Sequence, residues 1–532
     1  MKQSSLLTGI CLASLCSLSH GPAALAQEDS GRLGSVHFAT SCNEIAQRRF
    51  DRAMRYEHSF WYSAANEIFG EAIKADPTCG IAHWGVALTL LNNPHSPIPA
   101  ANLPLGLAAI EKARQVGAQT QRERDIINSL AEMYSDYDKL DHRTRILRYL
   151  AAMEQLAGKY PEDDELQLLY AITLNTSASP NDKTYAHQLK GAQIVERVMT
   201  RQPNHPGVPH YLIHLYDYPA IAEKGIPAAL RYAQVAPDAP HAQHMPSHIF
   251  TRIGYWQESI ASNLASAKAA KASKEYSDQM HGTDYLVYAY LQQARDKQAE
   301  AAVAEQTETY NLSNNVIRVN AGAYALAAGS ARYAVERGDW RSAAQLQVRD
   351  SPLRHTMALT HFARALGAAR SQDPVAAHAD IAALTQIRDQ LREAKDGYWS
   401  EIVDIQRQIA AAWLMAAKGD KEAALAAMSA AADAEDKTEK SPVTPGPLAP
   451  ARELYGAMLM EASKPAEALS AFEATLQKEP NRFNAYAGAA QAAEKAGDAN
   501  KAKPYYAKLL ELARDGTGER PVLAEARLLM TR

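Results

Sequence analysis

The C-terminal region of the chain repeats itself with a period of 34 residues. Within residues 464–512, Ala468 corresponds to Ala502 and Phe472 corresponds to Tyr506 at that offset. A period of this length is typical of stacked helix pairs, because one pair cannot bury its apolar face and needs neighbours to build a continuous core. We therefore predict an all-α chain of helix hairpins, and no strand pattern of consequence accompanies it.

The same pattern recurs near the other end of the chain. Residues 61–77, WYSAANEIFGEAIKADP, precede CGIAHWGVALTLL at 79–91 with the same spacing. The pattern resembles the tetratricopeptide repeat (TPR) superfamily, in its exported bacterial form, and matches best over 45–92 and 452–514. The resemblance implies one TPR-like α-solenoid over residues 27–532, wound as a right-handed superhelix. The first helix of each pair would line a concave groove, where such arrays bind a protein, a peptide or a small ligand.

Two proline-rich segments interrupt the predicted repeats. One is NNPHSPIPAANLP at 92–104, and the other is EDKTEKSPVTPGPLAP at 435–450, which carries four prolines. Since proline cannot continue a helix interior, both segments are predicted to be loops. Glu435 and Glu439 in the second loop are expected only to keep it soluble.

The N-terminus has the composition of a secretory signal peptide. Met1-Lys2 is a short positive region, Ser5 to Leu18 is an apolar run, and Ala24-Leu25-Ala26 is a small-residue cleavage site. We predict that residues 1–26 are removed and that the mature chain is periplasmic or secreted. No other stretch is long and apolar enough to cross a membrane.

Two cysteines remain once this signal is removed. They are Cys42 and Cys79, each just before a predicted first helix. An oxidising compartment permits a disulfide between them. The alternative is two buried thiols, and the sequence leaves both open.

Composition excludes several functions. A net charge of −4 gives no sign of the basic surface that nucleic-acid binding requires. No nucleophile elbow, Walker loop, dinucleotide-binding glycines, CxxC or HExxH is present. A patch of histidine and aromatic side chains in the first two pairs is interpreted as solenoid core. It comprises His58, Trp61, Tyr62, His83 and Trp84.

Histidines at helical spacing concentrate between Pro203 and Tyr285. Positions at i, i+3 or i+4, and i+7 of a helix share an arc of about 60°. The residues concerned are His210, His214 and Asp217, then His241, His244 and His248, then the pair His281 and Asp284. Each of three neighbouring helices is thus predicted to present imidazole along one stripe, two of them together with a carboxylate.

The repeat offset sets two of these stripes side by side. An offset of 34, from Pro203 to Pro237, carries His210 onto His244 and His214 onto His248. An offset near 30 pairs His214 with His244 instead. In a similar alignment Asp284 and Tyr285 lie level with His241–His244. Pro246 is expected inside a helix, where it would strain the backbone as prolines at functional sites do.

Two functions follow, and the sequence leaves both open. The first is an exported scaffold that binds a protein, peptide or small ligand in its groove. The alternative is a metalloprotein, possibly an enzyme, with Zn, Cu or Fe held on adjacent helices within 210–285. Its candidate ligands are His210, His214, Asp217, His241, His244, His248 and His281. Asp284 and Tyr285 are the candidate acid/base groups beside the ion.

Overall fold

The computed structural model describes residues 32–516 and 520–531, and all regular structure within these ranges is helical. The predicted signal peptide, 1–26, and the predicted new N-terminus at Gln27 lie outside the described residues. Among the described helices, none has the length and apolar character needed to cross a membrane.

The first half of the described chain runs from α1 to α13. The helices are α1 Glu44–His58, α2 Tyr62–Ala75, α3 Gly80–Leu90, α4 Asn102–Val116, α5 Gln121–Tyr134, α6 His142–Lys159, α7 Asp164–Ser177, α8 Ala186–Arg201, α9 Gly207–Tyr216, α10 Ile226–Val235, α11 Pro240–His244, α12 Pro246–Arg252 and α13 Trp256–Ser273. Polar side chains mark several helix starts. Thr120 and Glu123 form a capping box at α5, and Asp141 accepts from the backbone N–H of Thr144 at α6.

The second half runs from α14 to α26. The helices are α14 Tyr276–Gln292, α15 Asp296–Leu312, α16 Asn320–Glu336, α17 Trp340–Ala344, α18 Arg354–Arg370, α19 Pro374–Glu393, α20 Gly397–Ala417, α21 Lys421–Asp436, α22 Ala451–Glu461, α23 Pro465–Lys478, α24 Phe483–Lys495, α25 Ala499–Leu512 and α26 Pro521–Met530. Short 3₁₀ turns occupy Ala222–Gly225 and Asn314–Arg318.

Successive helices pack against one another as hairpins, and alanine is the commonest residue of the buried apolar core. Phe472 and Tyr506, the pair that recurs at the repeat period, are both buried. Gly456 and Gly488 lie against the ring of Phe472, where a β-carbon would clash. The fold is therefore the predicted one, an all-α TPR-like helix-hairpin solenoid.

Cys42 and Cys79 form a disulfide, with their Cα atoms 5.0 Å apart. Cys79 directly precedes α3, and Cys42 lies two residues before α1. Asn43 strengthens the same junction, because its backbone N–H donates to Asp76 and its side chain donates to the carbonyl of Ala75. The bridge thus ties the start of the described solenoid to its second hairpin.

The loop between α21 and α22 differs from its prediction. It begins at Lys437, because Glu435 and Asp436 still belong to α21. Glu435 and Glu439 do more than keep it soluble. Glu439 is buried and accepts from Lys183 Nζ at 2.7 Å and from the Tyr185 hydroxyl at 3.0 Å, while Glu435 accepts from the backbone N–H of Ala451. We call residues 437–450 the cover segment.

The cover segment contacts helices that are far apart in the sequence. Tyr285 of α14 donates to the carbonyl of Thr444, and Arg332 of α16 donates to the carbonyl of Pro447 at 2.8 Å. Tyr398 of α20 donates to the carbonyl of Glu439 at 2.9 Å. The surfaces of α14, α16 and α20 that it contacts are therefore covered by the chain itself.

Proline positions correct one expectation about the histidine-bearing helices. The helix ends at His244 and restarts at Pro246, so Pro246 is the first residue of α12 and not a strained interior residue. Proline is well accommodated there, because the first turn of a helix leaves its N–H groups without intrahelical partners. The break lets His244 and His248 lie on two short helices joined at Met245.

Candidate metal centre

Six histidines meet in two groups of three. The first triad is His210 and His214 of α9 with His241 of α11. The second triad is His244 of α11, His248 of α12 and His281 of α14. Within each triad, one ring nitrogen per residue lies within 4.8 Å of the others.

The two triads share a boundary. The ring centroids of His214 and His248 are 6.0 Å apart, and those of His241 and His244 are 6.2 Å apart. The offset of 34 residues therefore does bring His214 toward His248. His210 instead contacts His241, with 3.1 Å between their Nε2 atoms.

The proton positions in the second triad follow from its surroundings. His248 Nδ1 lies 2.9 Å from Asp217 Oδ2, and His244 Nδ1 lies 2.6 Å from Asn263 Oδ1. The amide of Asn263 is oriented by its Nδ2, which donates to the carbonyl of Ser259 at 2.8 Å. Both oxygens can only accept, so both Nδ1 atoms carry a proton and, in neutral rings, both Nε2 atoms carry a lone pair.

These two lone pairs face each other. His244 Nε2 and His248 Nε2 are 3.0 Å apart, too close for two unprotonated nitrogens without a cation between them. A tetrahedral ion with Zn–N distances of about 2.0–2.1 Å would hold two nitrogens roughly 3.3 Å apart. The second triad therefore has the donor geometry of a metal site, with His281 as a third imidazole.

The first triad has a similar arrangement. His210 Nδ1 donates to the backbone carbonyl of His58 at 2.7 Å, so in the neutral ring its Nε2 carries the lone pair. That nitrogen lies 3.2 Å from His214 Nε2 and 3.1 Å from His241 Nε2. One lone pair cannot make two full hydrogen bonds, whereas three imidazoles can bind one ion.

A third cluster is made by His58, Glu165 and His205. Its hydrogen bonds are complete without a metal ion. Both Nε2 atoms donate to the Glu165 carboxylate at 2.9 Å. His58 Nδ1 then accepts from the Tyr211 hydroxyl at 2.8 Å, and His205 Nδ1 accepts from the backbone N–H of Gly207 at 3.1 Å. Every nitrogen is satisfied with neutral rings, so this cluster is a hydrogen-bond network. It fixes His58, whose carbonyl orients the first triad.

One aromatic ring covers each triad. The Phe60 centroid lies 4.2 Å from that of His210 and 5.5 Å from those of His214 and His241. Tyr285 lies at 4.7, 5.2 and 5.3 Å from the rings of the second triad. Phe60 has φ of 56°, a left-handed conformation that a bulky residue adopts at a cost. Each ring packs against one side of its triad and excludes water there.

Burial also keeps the imidazoles neutral. It lowers the pKa of His210 and of His281 to about 3, and it lowers the pKa of His214, His241 and His244 well below the ordinary value. Nearby histidines add to each shift, because two adjacent rings cannot both take a proton. Neutral imidazole is the form that binds metal.

Asp217 does not lie among the facing nitrogens. Helix α9 ends at Tyr216, and the backbone at Asp217 is no longer helical, so the predicted stripe stops before it. Its carboxylate instead accepts from His248, from Arg252 Nε at 2.8 Å and from Lys440 Nζ at 3.0 Å. Burial opposes its charge, but Lys440 and Arg252 hold the pKa of Asp217 well below its usual range. Asp217 thus orients His248.

Asp284 and Tyr285 have different positions. Asp284 belongs to neither triad, and its carboxylate faces Arg332 Nε at 3.6 Å; burial raises its pKa to about 6. The Tyr285 hydroxyl lies 3.5 Å from both ring nitrogens of His248 and donates to the carbonyl of Thr444 at 3.2 Å. Burial raises the pKa of Tyr285 well above 10, so it remains a phenol.

Several residues around the centre carry no periodic signal in the sequence. His95, from the loop between α3 and α4, places its ring centroid 4.3 Å from that of His214, and its Nε2 is buried without a hydrogen-bond partner. Lys440 reaches the centre from the cover segment, and Asn263 reaches it from α13. His95 could have been suspected only as a histidine in a proline-rich loop.

No family model matches the chain, and no curated protein matches it. Among solved structures it aligns with a human IFIT1 dimer with PPP-AAAA, at 10% identity and a TM-score of 0.40, covering 82% of this chain and 90% of that one. It also aligns with yeast Tom70, at 13% identity and a TM-score of 0.29 over 92% and 96% of the two chains. A third alignment, to the APC/C hetero-tetramer Cut9–Hcn1, has 12% identity and a TM-score of 0.36 over 92% and 83%. Likeness at this level carries no argument about what this chain binds.

Proposed function

We propose that this helical-repeat scaffold is a metalloprotein that holds two neighbouring transition-metal ions, one on each histidine triad. The observation that carries the proposal is the contact between His244 Nε2 and His248 Nε2 at 3.0 Å, with both Nδ1 protons committed to oxygen acceptors. The cluster at His58 provides the contrast, because its nitrogens find protons and acceptors in full.

The donor set supports a first-row transition metal. Each triad offers three neutral imidazoles and no carboxylate, a set that suits Zn, Cu, Fe or Ni and is poor for Mg or Ca. Asp217 on His248, Asn263 on His244 and the His58 carbonyl on His210 are the outer contacts that fix imidazole ligands in known sites. Three ligands leave a coordination position for water or a substrate.

The test is the metal content of protein purified without chelator. Elemental analysis should give two ions per chain for the wild type and one for His281→Ala or for His241→Ala, since each removes one ligand of one triad. His214→Ala combined with His248→Ala should remove both. His355→Ala is the matched control, because it deletes a buried histidine that bonds Asn320 and belongs to neither triad, and it should leave two ions. A wild type that binds Zn²⁺, Cu²⁺ and Fe²⁺ no more tightly than the double variant would refute the proposal.

We also propose that the protein works in an exported, oxidising compartment. The signal-like sequence at residues 1–26 supports this, and so does the Cys42–Cys79 disulfide, since such bonds persist outside the cytoplasm. N-terminal sequencing of protein from a periplasmic extract should begin at Gln27. Recovery of the intact Met1 end from the cytosol would overturn it.

Binding of a peptide or protein in the groove is the function we place second. The cover segment lies beside the triads, with contacts to Asp217, Tyr285 and Arg332. A peptide would have to displace these buried contacts to reach the histidines. A small molecule would not, because a cavity reaches His214 directly.

A further inference from the structure

A polar cavity lies beside the first triad. His95 and His214 line it on one side, residues 439–442 of the cover segment line another, and Asn175 of α7 and Gln188 of α8 complete the wall. Its volume is about 200 Å³, below the 300–1,000 Å³ of pockets for drug-sized ligands. We call it the polar chamber.

Four buried polar atoms of this lining have no hydrogen-bond partner among the described residues. They are Asn175 Nδ2, Gln188 Oε1, Glu439 Oε2 and His95 Nε2. The first three belong to side chains with only 5%, 2% and 8% exposure. The amide of Asn175 is oriented, because its Oδ1 accepts from the Tyr218 hydroxyl at 3.2 Å. Leaving a buried polar group unpaired is unfavourable, so four of them in one cavity point to a ligand.

Two of the three carboxylates that line the chamber are already paired with cations. Asp217 is paired with Lys440 and Arg252, and Glu439 Oε1 is paired with Lys183 at 2.7 Å. The third, Asp182, is half-buried and accepts from the N–H and hydroxyl of Thr184. An anionic ligand would face three carboxylates, and a cationic ligand would compete with Lys440, Arg252 and Lys183 for two of them. The unsatisfied atoms are instead complementary to a neutral molecule with N–H or O–H donors and at least one acceptor.

We propose that the polar chamber binds a small neutral molecule rich in hydroxyl or amide groups and presents it to the first triad. Such a ligand donates to Gln188 Oε1 and to Glu439 Oε2 and accepts from Asn175 Nδ2. His214 lines the chamber and belongs to the triad, so the bound molecule lies next to the proposed ion. The role of the chamber as a substrate site rests on the proposed metal function, whereas binding itself does not.

The test uses four small probes, of three to eight non-hydrogen atoms, on the full chain. Erythritol and propionamide are neutral, propionate is anionic and ethylammonium is cationic. Saturation-transfer NMR titrations would measure the Kd of each probe for metal-loaded and chelator-treated protein, with metal content determined on the same samples. Asn175→Leu and Gln188→Met each remove one unpaired group at nearly constant volume. Gln167→Met, on the same helix as Asn175 but bonded to the carbonyl of Ala157 outside the chamber, is the matched control.

We expect erythritol or propionamide to bind saturably to both samples, with a Kd about tenfold higher in Asn175→Leu and in Gln188→Met and unchanged in Gln167→Met. Absence of saturable binding by both neutral probes would overturn the proposal. So would tighter binding of either charged probe, or an unchanged Kd in both chamber variants. Neutral probes that bind, together with an untreated wild type that contains no metal, would support the chamber while refuting the metal proposal. Two ions without probe binding would do the reverse.

Discussion

Asp217 offers the sharpest test of the centre, because one carboxylate serves three buried partners. It accepts from His248 Nδ1, Arg252 Nε and Lys440 Nζ at 2.9, 2.8 and 3.0 Å, and Arg252 and Lys440 are each nearly inaccessible to solvent. Asp217→Asn keeps the shape and removes the charge. Two buried cations then lose their counter-ion, and removing one partner from such a pair costs about 3–5 kcal/mol of unfolding free energy.

The protonation state of Lys440 determines whether the loss of unfolding free energy lies near the lower or the upper end of that range. Burial and the nearby Arg252 already lower the pKa of Lys440 to about 8. Without the Asp217 charge its pKa falls further, so at pH 7.5 the amine releases its proton and limits the loss to about 3 kcal/mol. The loss should grow as the pH falls below 7, because the lysine must then be buried with its charge.

The same substitution should weaken the metal site. His248 keeps an acceptor for its Nδ1 proton but loses the charge that makes the ring more basic, and losing such an outer contact typically costs 10–100-fold in metal affinity. The affinity would be measured by competition with a chromophoric Zn²⁺ chelator, and the unfolding free energy by urea denaturation followed by circular dichroism.

Asp380 supplies a matched control. It is buried and accepts from His361 Nδ1 at 2.7 Å and Arg364 Nε at 3.0 Å, far from the triads in sequence and absent from their contacts. Asp380→Asn should cost about 1–3 kcal/mol and leave Zn²⁺ affinity unchanged. A wild-type affinity in Asp217→Asn, or an equal loss in Asp380→Asn, would refute the assigned role of Asp217.

Three further outcomes are expected. Cys42→Ser combined with Cys79→Ser should lower stability by about 3–4 kcal/mol on the chain-entropy model, since the bridge spans 37 residues; two free thiols in unfolded, unreduced wild type would show that the bridge is not native. Burial raises the pKa of Glu57 to about 8 from an ordinary 4.5, so its charge opposes folding and stability should fall as pH rises from 5 to 8. Glu57→Gln should remove that part of the pH dependence, and an unchanged profile in urea titrations would contradict this. Phe472→Ala should cost about 3–5 kcal/mol, and a loss under roughly 0.5 kcal/mol would mean the residue is not core.

Periodicity predicted the fold and the imidazoles of the centre for the same reason. Apolar and histidine side chains recur at helical spacing, and α9, α11, α12 and α14 are regular enough for that spacing to hold. Contrary to the prediction, Asp217 does not share the histidine face of α9, because that helix ends one residue earlier. Pro246 also does not strain a helix interior as predicted, because a new helix begins there.

Contacts that depend on distant segments could not be predicted. His95 and Lys440 lie in loops, where no period constrains the side chain, and the cover segment makes contacts with residues from Lys183 to Tyr398. The sequence also could not predict that the histidines divide into two triads. His241 and His244 are three residues apart on α11, and only the rings opposite them assign each to a different group.

The cover segment gives this repeat protein an unusual order of assembly. Helical repeats contact their neighbours and can fold one after another as the chain emerges, yet Lys440 and Asp217 are 223 residues apart and Tyr285 and Thr444 are 159 apart. A nascent chain that has reached residue 436 already holds all six imidazoles but still lacks their lid. On the proposed function, ions would reach the open cluster before the cover segment docks over it. Docking of the cover segment, and not formation of the ligand set, would then mark the moment at which exchange with the surrounding metal pool slows.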